Sequence, residues 1–140
     1  MAGAVHTEVV VQGLAARYDD AKVVRAAIGA GQLAVVYVGG DDVARDLTAL
    51  SLDPGEVETL HLAYQERADL VLVDDMSARR EARTHGLVAK GTLGVLLDAF
   101  RSGILTREDV RRFVRAIMDR EDIWIASELC EGVLAALEGR

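Results

Sequence analysis

Residues 68–87, ADLVLVDDMSARREARTHGL, decide the fold of this chain. An aliphatic run that ends in two aspartates predicts a buried strand over 69–75. The residues after it predict a helix over 77–85, and a second short apolar run predicts a strand over 87–90. Strand, helix and strand in this order are typical of a partly parallel sheet. The sequence therefore predicts an α/β fold with helices on both faces of the sheet.

The remaining segments add further helices and strands around this unit. Apolar residues at helical spacing predict helices at 5–14, 21–28, 41–50, 53–68, 92–100, 106–120 and 127–137. β-Branched runs predict strands at 33–38 and 123–126. Helix caps are expected at Asp19 or Asp20, at Asp41 or Asp42, and at Thr106 together with Asp109. Gly31 is expected to end the second helix.

Length and composition predict one domain over residues 1–140. The chain has 140 residues, of which 51% are hydrophobic and 28% charged, enough to form its own core. Its apolar runs are too short to span a membrane, and its first residues do not resemble a secretory signal. We therefore expect a cytoplasmic protein with no membrane partner. The single cysteine, Cys130, lies in an apolar helical pattern and is expected to be a buried free thiol.

The charge balance limits which ligands the protein can bind. A net charge of −7 opposes diffuse binding to nucleic acid, so a polyanionic substrate would need a local basic cluster. Arg79 and Arg83 share one face of a predicted helix and are spaced to contact a phosphate backbone; a solvated face is the alternative. In a second cluster, around Arg112, Glu108 is spaced to form an ion pair with that arginine, which explains the cluster without a ligand.

Two acidic positions allow both a chemical and a structural interpretation. Asp74 and Asp75 follow a predicted strand, and in open α/β sheets the carboxyl ends of strands line the functional crevice. Mg²⁺ and Mn²⁺ prefer carboxylate oxygens, so the pair suits a hard cation. Alternatively, Asp75 caps the next helix and Asp74 ends the strand. For Glu56 the pattern by itself favours the structural interpretation, because residues 53–56, DPGE, form a capping-box pattern.

Other catalytic and metal-binding patterns find little support. Glu58 and His61 have the spacing of a di-iron helix, but the sequence contains no second copy of that motif. It also contains no nucleophile elbow, glycine-rich phosphate loop or zinc pattern. The run LVLVDD at 70–75 is similar to the acidic strand end of a phosphorelay receiver. The aspartate that such a domain needs further along, Asp119, falls instead in a helical pattern.

Three segments together resemble the PIN-domain family: LDPGEVETLHLA at 52–63, ADLVLVDDMSARREARTHGL at 68–87 and GTLGVLLDAFRSGIL at 91–105. They carry Gly-Glu-x-Glu, Asp-Asp-x-x-Ala-Arg and Gly-Thr-x-Gly in the order seen in an uncharacterised branch of that family. AVHTEVVVQG at 4–13 is similar to the helix of this branch that carries an early acidic residue. The ordered trio is more specific than any of its parts.

This resemblance implies a compact α/β nuclease in which acidic side chains bind Mg²⁺ or Mn²⁺ and cleave RNA. Many members of the family are toxins that are paired with an antitoxin, so both RNA and an antitoxin are expected as partners. The resemblance implies that Glu8, Glu56 and Asp74 are the catalytic metal ligands, with Asp75 beside them. It also places Thr92 at the Gly-Thr motif, where it is expected to bind nucleic acid together with Arg79 and Arg83.

One departure from the family pattern changes these expectations. Family members normally begin with a strand that ends in an aspartate, and nothing in this chain before residue 4 matches that strand. The predicted strands at 33–38 and 69–74 would then lack the neighbour that separates them, and exposed strand edges invite pairing. We therefore expect an N-terminally truncated PIN-like domain that forms homo-oligomers. Its expected function is that of a ribonuclease or, alternatively, of a catalytically degenerate interaction module.

Overall fold

The computed structural model describes residues 1–38, 52–121 and 123–139 and shows a mixed α/β protein, which confirms the predicted class. The chain divides into two compact units, Met1–Val71 with Ser77–Val88, and Leu72–Met76 with Ala89–Arg140. The predicted helix at 41–50, with its cap at Asp41 or Asp42, lies outside the described residues.

The helices and strands of the described residues are, in chain order, α1 (Gly3–His6), a π-helical segment (Thr7–Gln12), α2 (Gly13–Ala15), α3 (Asp19–Gly29), α4 (Pro54–Gln65), β1 (Val71–Leu72), α5 (Met76–Thr84), β2 (Ala89–Lys90), α6 (Thr92–Arg101), α7 (Arg107–Met118) and α8 (Ser127–Leu137).

The first unit begins with one helical run, made of α1, the π-helical segment and α2, where the sequence predicts a helix. Helix α3 packs against the end of this run at Gly13. A Cβ atom on Gly13 would lie 2.9 Å from the Cβ atom of Ala21, which is closer than two side-chain carbons can approach. The glycine therefore permits the close contact between the two helices.

The cap of α3 differs from the prediction. Its N-cap residue is Tyr18, and both Asp19 and Asp20 lie in the first turn of the helix. Carboxylates in a first turn interact favourably with the helix dipole, so they stabilise α3 without occupying the cap position. After Ala30, Gly31 takes a positive φ of 72°, and the helix ends there as predicted.

The prediction of a buried strand at 33–38 is wrong. Its pairing in the described residues is a single parallel bridge between Val36 and Ala2, with the N–H of Val36 donating to the carbonyl of Met1 at 3.0 Å. Tyr37 is 71% exposed. A β-branched composition favours extended backbone, but a buried strand also needs covered faces and paired neighbours.

The two regular strands pair in parallel but are shorter than predicted. The N–H of Val71 donates to the carbonyl of Val88 at 2.8 Å, and the N–H of Val73 donates to that of Lys90 at 3.0 Å. Val71 is buried, whereas Leu72 is 58% exposed. The apolar run therefore does not form the strand buried on both faces that was predicted for 69–75.

The second unit is built around α6, α7 and α8. Its core contains five buried residues: Val110, Val114, Cys130, Val133 and Leu137. Burial raises the pKa of the Cys130 thiol, as expected for an inert core cysteine. Helix α8 has the predicted bounds, and α7 begins at the predicted capping box of Thr106 and Asp109.

The segment before α8 corrects another prediction. Residues 123–126 lie outside the helices and strands, although their sequence is typical of a strand. Trp124 in this segment is 93% exposed. None of the helices in the described part of the chain combines the length and apolarity that crossing a membrane requires.

Candidate functional site

Asp74 lies just beyond β1 and binds the first residue of α6. The backbone N–H of Thr92 donates to Oδ1 of Asp74 at 2.8 Å, and the Thr92 hydroxyl donates to Oδ2 at 2.5 Å. The residue before Thr92 is Gly91, which has no side chain to cap the helix. Asp74 therefore caps α6 from a distant position in the sequence, a role different from the strand-ending one that was the structural alternative.

The Asp74 carboxylate keeps coordination capacity despite these bonds. An ionised carboxylate has about four lone-pair positions on its two oxygens, and Thr92 occupies two of them. The side chain is exposed and lies at a helix N-terminus, where negative charge is favoured. Asp74 is therefore a fixed, accessible oxygen donor of the kind that Mg²⁺ and Mn²⁺ bind.

A cavity of about 420 Å³ lies beside this carboxylate in the second unit. Its lining is mostly apolar, and two of the lining residues, Asp74 and Thr92, have polar side chains. The lining residues are Leu72, Val73, Asp74, Thr92, Val95 and Leu96. The Asp74 carboxylate therefore borders a mostly apolar recess of the second unit.

The second glycine of Gly-Thr-x-Gly makes room for Lys90. A Cβ atom on Gly94 would lie 2.8 Å from Cγ of Lys90, so the lysine side chain passes directly over this position. Beyond it the Lys90 ammonium forms an ion pair with Asp98, which also binds Arg101. The hydrogen bond from Lys90 holds the pKa of Asp98 below its usual range. The lysine thereby links the end of β2 to α6.

In the first unit, Glu8 belongs to the π-helical segment and lies close to the start of α4. Oε2 of Glu8 lies 3.6 Å from the position that a Cβ atom on Gly55 would take, next to Glu56 in the sequence. Glu8 is exposed and Glu56 is half-buried. π-Helical turns are rare and occur often at functional sites. The structure thus brings Glu8 to the predicted Gly-Glu motif.

Glu56 also has the structural role that its sequence pattern allows. The N–H of Asp53 donates to Oε2 of Glu56 at 3.0 Å, and the two residues form the capping box of α4. This bond fixes the Glu56 carboxylate at the N-terminus of the helix, where its charge is stabilised. A capping role and a ligand role are therefore compatible for this residue.

The predicted metal ligands are distributed over both units. Glu8 and Glu56 belong to the first unit, and Asp74, Asp75 and Thr92 belong to the second. Within the residues that the structure describes, no cluster of three or more His, Cys, Asp and Glu side chains is arranged to hold a metal ion. Each unit nonetheless supplies carboxylates, which are the hard donors that Mg²⁺ and Mn²⁺ prefer. Their convergence on one ion stays a prediction.

Comparison with known protein families decides the classification. Residues 1–139 match the family DUF3368, which is described as a PIN domain. The chain belongs to the PIN-domain family. Comparisons with curated proteins and with solved structures gave no match. Membership points to a nuclease-like function in general; PIN domains generally use divalent metals and are often associated with RNA and with toxin–antitoxin pairs.

The arginines of this PIN domain fall into two different groups. On α5, Arg79 is half-buried and Arg83 exposed, and neither forms an ion pair with any described residue. On α7, Arg111 pairs with Glu108 at 3.0 Å and Arg112 pairs with Asp109 at 2.9 Å. The expected pair of Glu108 with Arg112 is therefore wrong in its partners. The salt-bridged character of the second cluster is confirmed.

Sequence reasoning missed two residues that organise this PIN domain. Glu58 was given no role beyond the Gly-Glu-x-Glu motif and a rejected di-iron motif, yet its carboxylate accepts a hydrogen bond from the N–H of Ala4 at 2.8 Å. Lys90 was not considered at all, yet its side chain crosses α6. The Glu-x-Glu spacing was the available signal for Glu58. No local pattern points to Lys90, because its partner is set by the tertiary fold.

Proposed function

We propose that this PIN domain is a metal-dependent ribonuclease that hydrolyses RNA phosphodiester bonds. The observation that carries the proposal is the Asp74 carboxylate, fixed by Thr92 at the start of α6 and open to the cavity beside it. Family membership supports the nuclease chemistry in general. A toxin role with an antitoxin partner, and a cytoplasmic location, belong to the same proposal.

The proposed metal ligands are Glu8, Glu56, Asp74 and Asp75, and the proposed ion is Mg²⁺ or Mn²⁺. When bound, such an ion polarises a phosphate oxygen and activates a water molecule for attack. The carboxylates would set its coordination geometry, and two of them are held by hydrogen bonds, Glu56 by the N–H of Asp53 and Asp74 by Thr92. Thr92 keeps the Asp74 carboxylate in one orientation.

The remaining residues bind and orient the RNA. Arg79 and Arg83 supply positive charge to a chain whose net charge is −7, and Arg side chains recognise phosphate through paired N–H donors. Thr92 is proposed to lie at the bound strand, since it lines the cavity next to Asp74.

The test is RNA cleavage by the purified protein with Mn²⁺, Mg²⁺ or a chelator. Asp74→Asn is expected to lower the metal-dependent rate by at least about tenfold, because ligand and supporting residues of metal sites have effects of this size or larger. Asp19→Asn is the matched control, since Asp19 is an exposed carboxylate on α3 that pairs with Lys22. Unchanged cleavage in the double variant Asp74→Asn, Glu56→Gln would identify the activity as a contaminant and reject the proposal.

A second candidate function is a degenerate PIN-like module that acts through protein association. Exposed large apolar side chains favour association, because burying them removes apolar surface from water. The most exposed are Tyr37, Met76, Ile104 and Trp124. Pure protein that neither cleaves RNA nor takes up Mn²⁺ would favour this alternative, whereas tight Mn²⁺ binding that depends on Asp74 would argue against it.

A further inference from the structure

Helix α1 begins without a capping side chain of its own. Its N-cap residue is Ala2, which has no hydrogen-bond acceptor in its side chain. The first N–H groups of a helix have no partner within the helix and must find acceptors elsewhere. The N–H of Ala4 finds one in Oε2 of Glu58, 54 residues further along the chain, at 2.8 Å. The acceptor is therefore a carboxylate on α4.

This hydrogen bond is stronger than an ordinary surface contact. It joins an ionised acceptor to a backbone donor at a helix N-terminus, where charge and dipole reinforce each other. The bond is partly buried, and Glu58 is itself half-buried. It is thus a specific attachment point between the helical run at the start of the chain and α4.

Glu8 lies on the same helical run as this attachment. It follows Ala4 by four residues, so the two positions lie close to one face of the helical run. That face meets α4 at Gly55, where a Cβ atom would lie 3.4 Å from Cγ2 of Val5 and 3.6 Å from Oε2 of Glu8. The bond to Glu58 anchors one end of this face, and Glu8 lies at the other end beside the Gly-Glu motif.

We propose that Glu58 is a positioning residue: by binding the N–H of Ala4, it holds Glu8 against the N-terminus of α4. The part of the inference that concerns metal binding rests on the proposed function, in which Glu8 is a ligand. Glu58 acts through Ala4 and the helical run, and it is not itself a ligand. The second acid of Gly-Glu-x-Glu therefore serves the geometry of the first helix.

The experiment compares three variants by Mn²⁺ titration and thermal unfolding. Glu58→Ala removes the acceptor and is expected to weaken Mn²⁺ binding by about 10- to 100-fold, the usual effect of removing a group that orients a ligand. Glu58→Gln keeps an oxygen that can accept from Ala4 but removes its charge, so its Mn²⁺ affinity is expected to fall less than that of Glu58→Ala. Glu66→Ala, which removes a carboxylate from the exposed C-terminal end of α4, is the matched control.

Backbone amide NMR supplies a readout that needs neither metal nor activity. In Glu58→Ala the Ala4 amide is expected to exchange faster, and the amide signals of Glu8 and Gly55 are expected to shift. In Glu66→Ala all three are expected to remain unchanged. Unaltered Glu8 and Gly55 signals in the folded Glu58→Ala protein would overturn the inference.

Failure of the inference and failure of the proposed function give different results. Wild-type Mn²⁺ affinity in Glu58→Ala, combined with weak binding in Glu8→Gln, would reject the positioning role and leave the nuclease proposal intact. Equal losses in Glu58→Gln and Glu58→Ala would show that Glu58 is itself a ligand, which also rejects it. If the wild type binds no Mn²⁺, the nuclease proposal fails, and the NMR shifts alone decide whether Glu58 positions Glu8.

Discussion

Asp74 illustrates how one side chain acquires two roles in this protein. It caps α6, a helix that starts 18 residues further along the chain, and it lies at the cavity of the second unit. The capping bonds restrict its rotation, so the carboxylate is held in one orientation, as its proposed role as a metal ligand requires. The two hydrogen bonds from Thr92 therefore cap α6 and also fix the orientation of the Asp74 carboxylate.

Thr92→Val tests this coupling at the residue scale. The substitution keeps the shape of the side chain and the backbone N–H but removes the hydroxyl that donates to Asp74. We expect a loss of about 1 kcal/mol in the free energy of unfolding, the usual net value of such a bond, measured by urea denaturation. Mn²⁺ affinity is expected to fall about tenfold, because the Asp74 carboxylate is less well oriented.

Thr84→Val is the matched control for that prediction. The Thr84 hydroxyl donates to the carbonyl of Arg80 within α5, so the same chemical change is made at another exposed helix position. Mn²⁺ affinity is expected to be unaffected there. Equal losses of affinity in the two variants would contradict a specific role for Thr92.

At the scale of elements, the junction between β2 and α6 depends on a glycine. Lys90 leaves the strand, crosses the helix at Gly94 and pairs with Asp98 one turn further along. A side chain at position 94 would occupy the path of the lysine. The Gly-Thr-x-Gly sequence thus combines a threonine that binds Asp74 with a glycine that allows a lysine to tie strand and helix together.

Two glycine-to-alanine variants separate helix propensity from packing. Among the described residues, no atom beyond the neighbouring turns of α8 lies within 4 Å of the position that a Cβ atom on Gly132 would take, so Gly132→Ala is expected to raise the free energy of unfolding by about 0.5–1 kcal/mol. Gly94→Ala is expected to lower it, because the new methyl group displaces Lys90 from Asp98. Urea unfolding measures both changes, and an equal gain in the two variants would contradict the packing argument.

At the scale of the whole molecule, surface composition determines what the protein can associate with. The net charge of −7 repels polyanions in general, so the proposed RNA binding would have to rely on a local group such as the arginines of α5. At the same time several large apolar side chains are exposed, with Trp124 the most exposed at 93%. Burying such groups on association is favourable through the hydrophobic effect.

The expected result of light scattering is therefore a homo-oligomer whose mass exceeds the 15.1 kDa of the chain. Trp124→Ser is expected to reduce the oligomeric fraction, because it removes the largest exposed apolar side chain of the segment before α8. Leu62→Ser is unsuitable as a comparison, since that residue lies on the partly buried face of α4. A monomer over a wide range of protein concentrations would refute the expectation.

The sequence by itself determined the features that depend on neighbouring residues. The capping boxes of α4 and α7, the bounds of α8 and the end of α3 at Gly31 all follow from residues within a few positions of each other. The order of the three PIN motifs also led to the correct family. These signals are local, because caps, turns and helical periodicity are set by short-range sterics and hydrogen bonds.

Tertiary structure alone decided which distant groups meet. The bonds from Thr92 to Asp74, from Ala4 to Glu58 and from Lys90 to Asp98 each join separate elements or turns. It also decided that residues 33–38 and 123–126, although rich in β-branched residues, do not become buried strands. A strand exists only where another segment completes its ladder, and a distant carboxylate caps a helix only where the chain path brings it there.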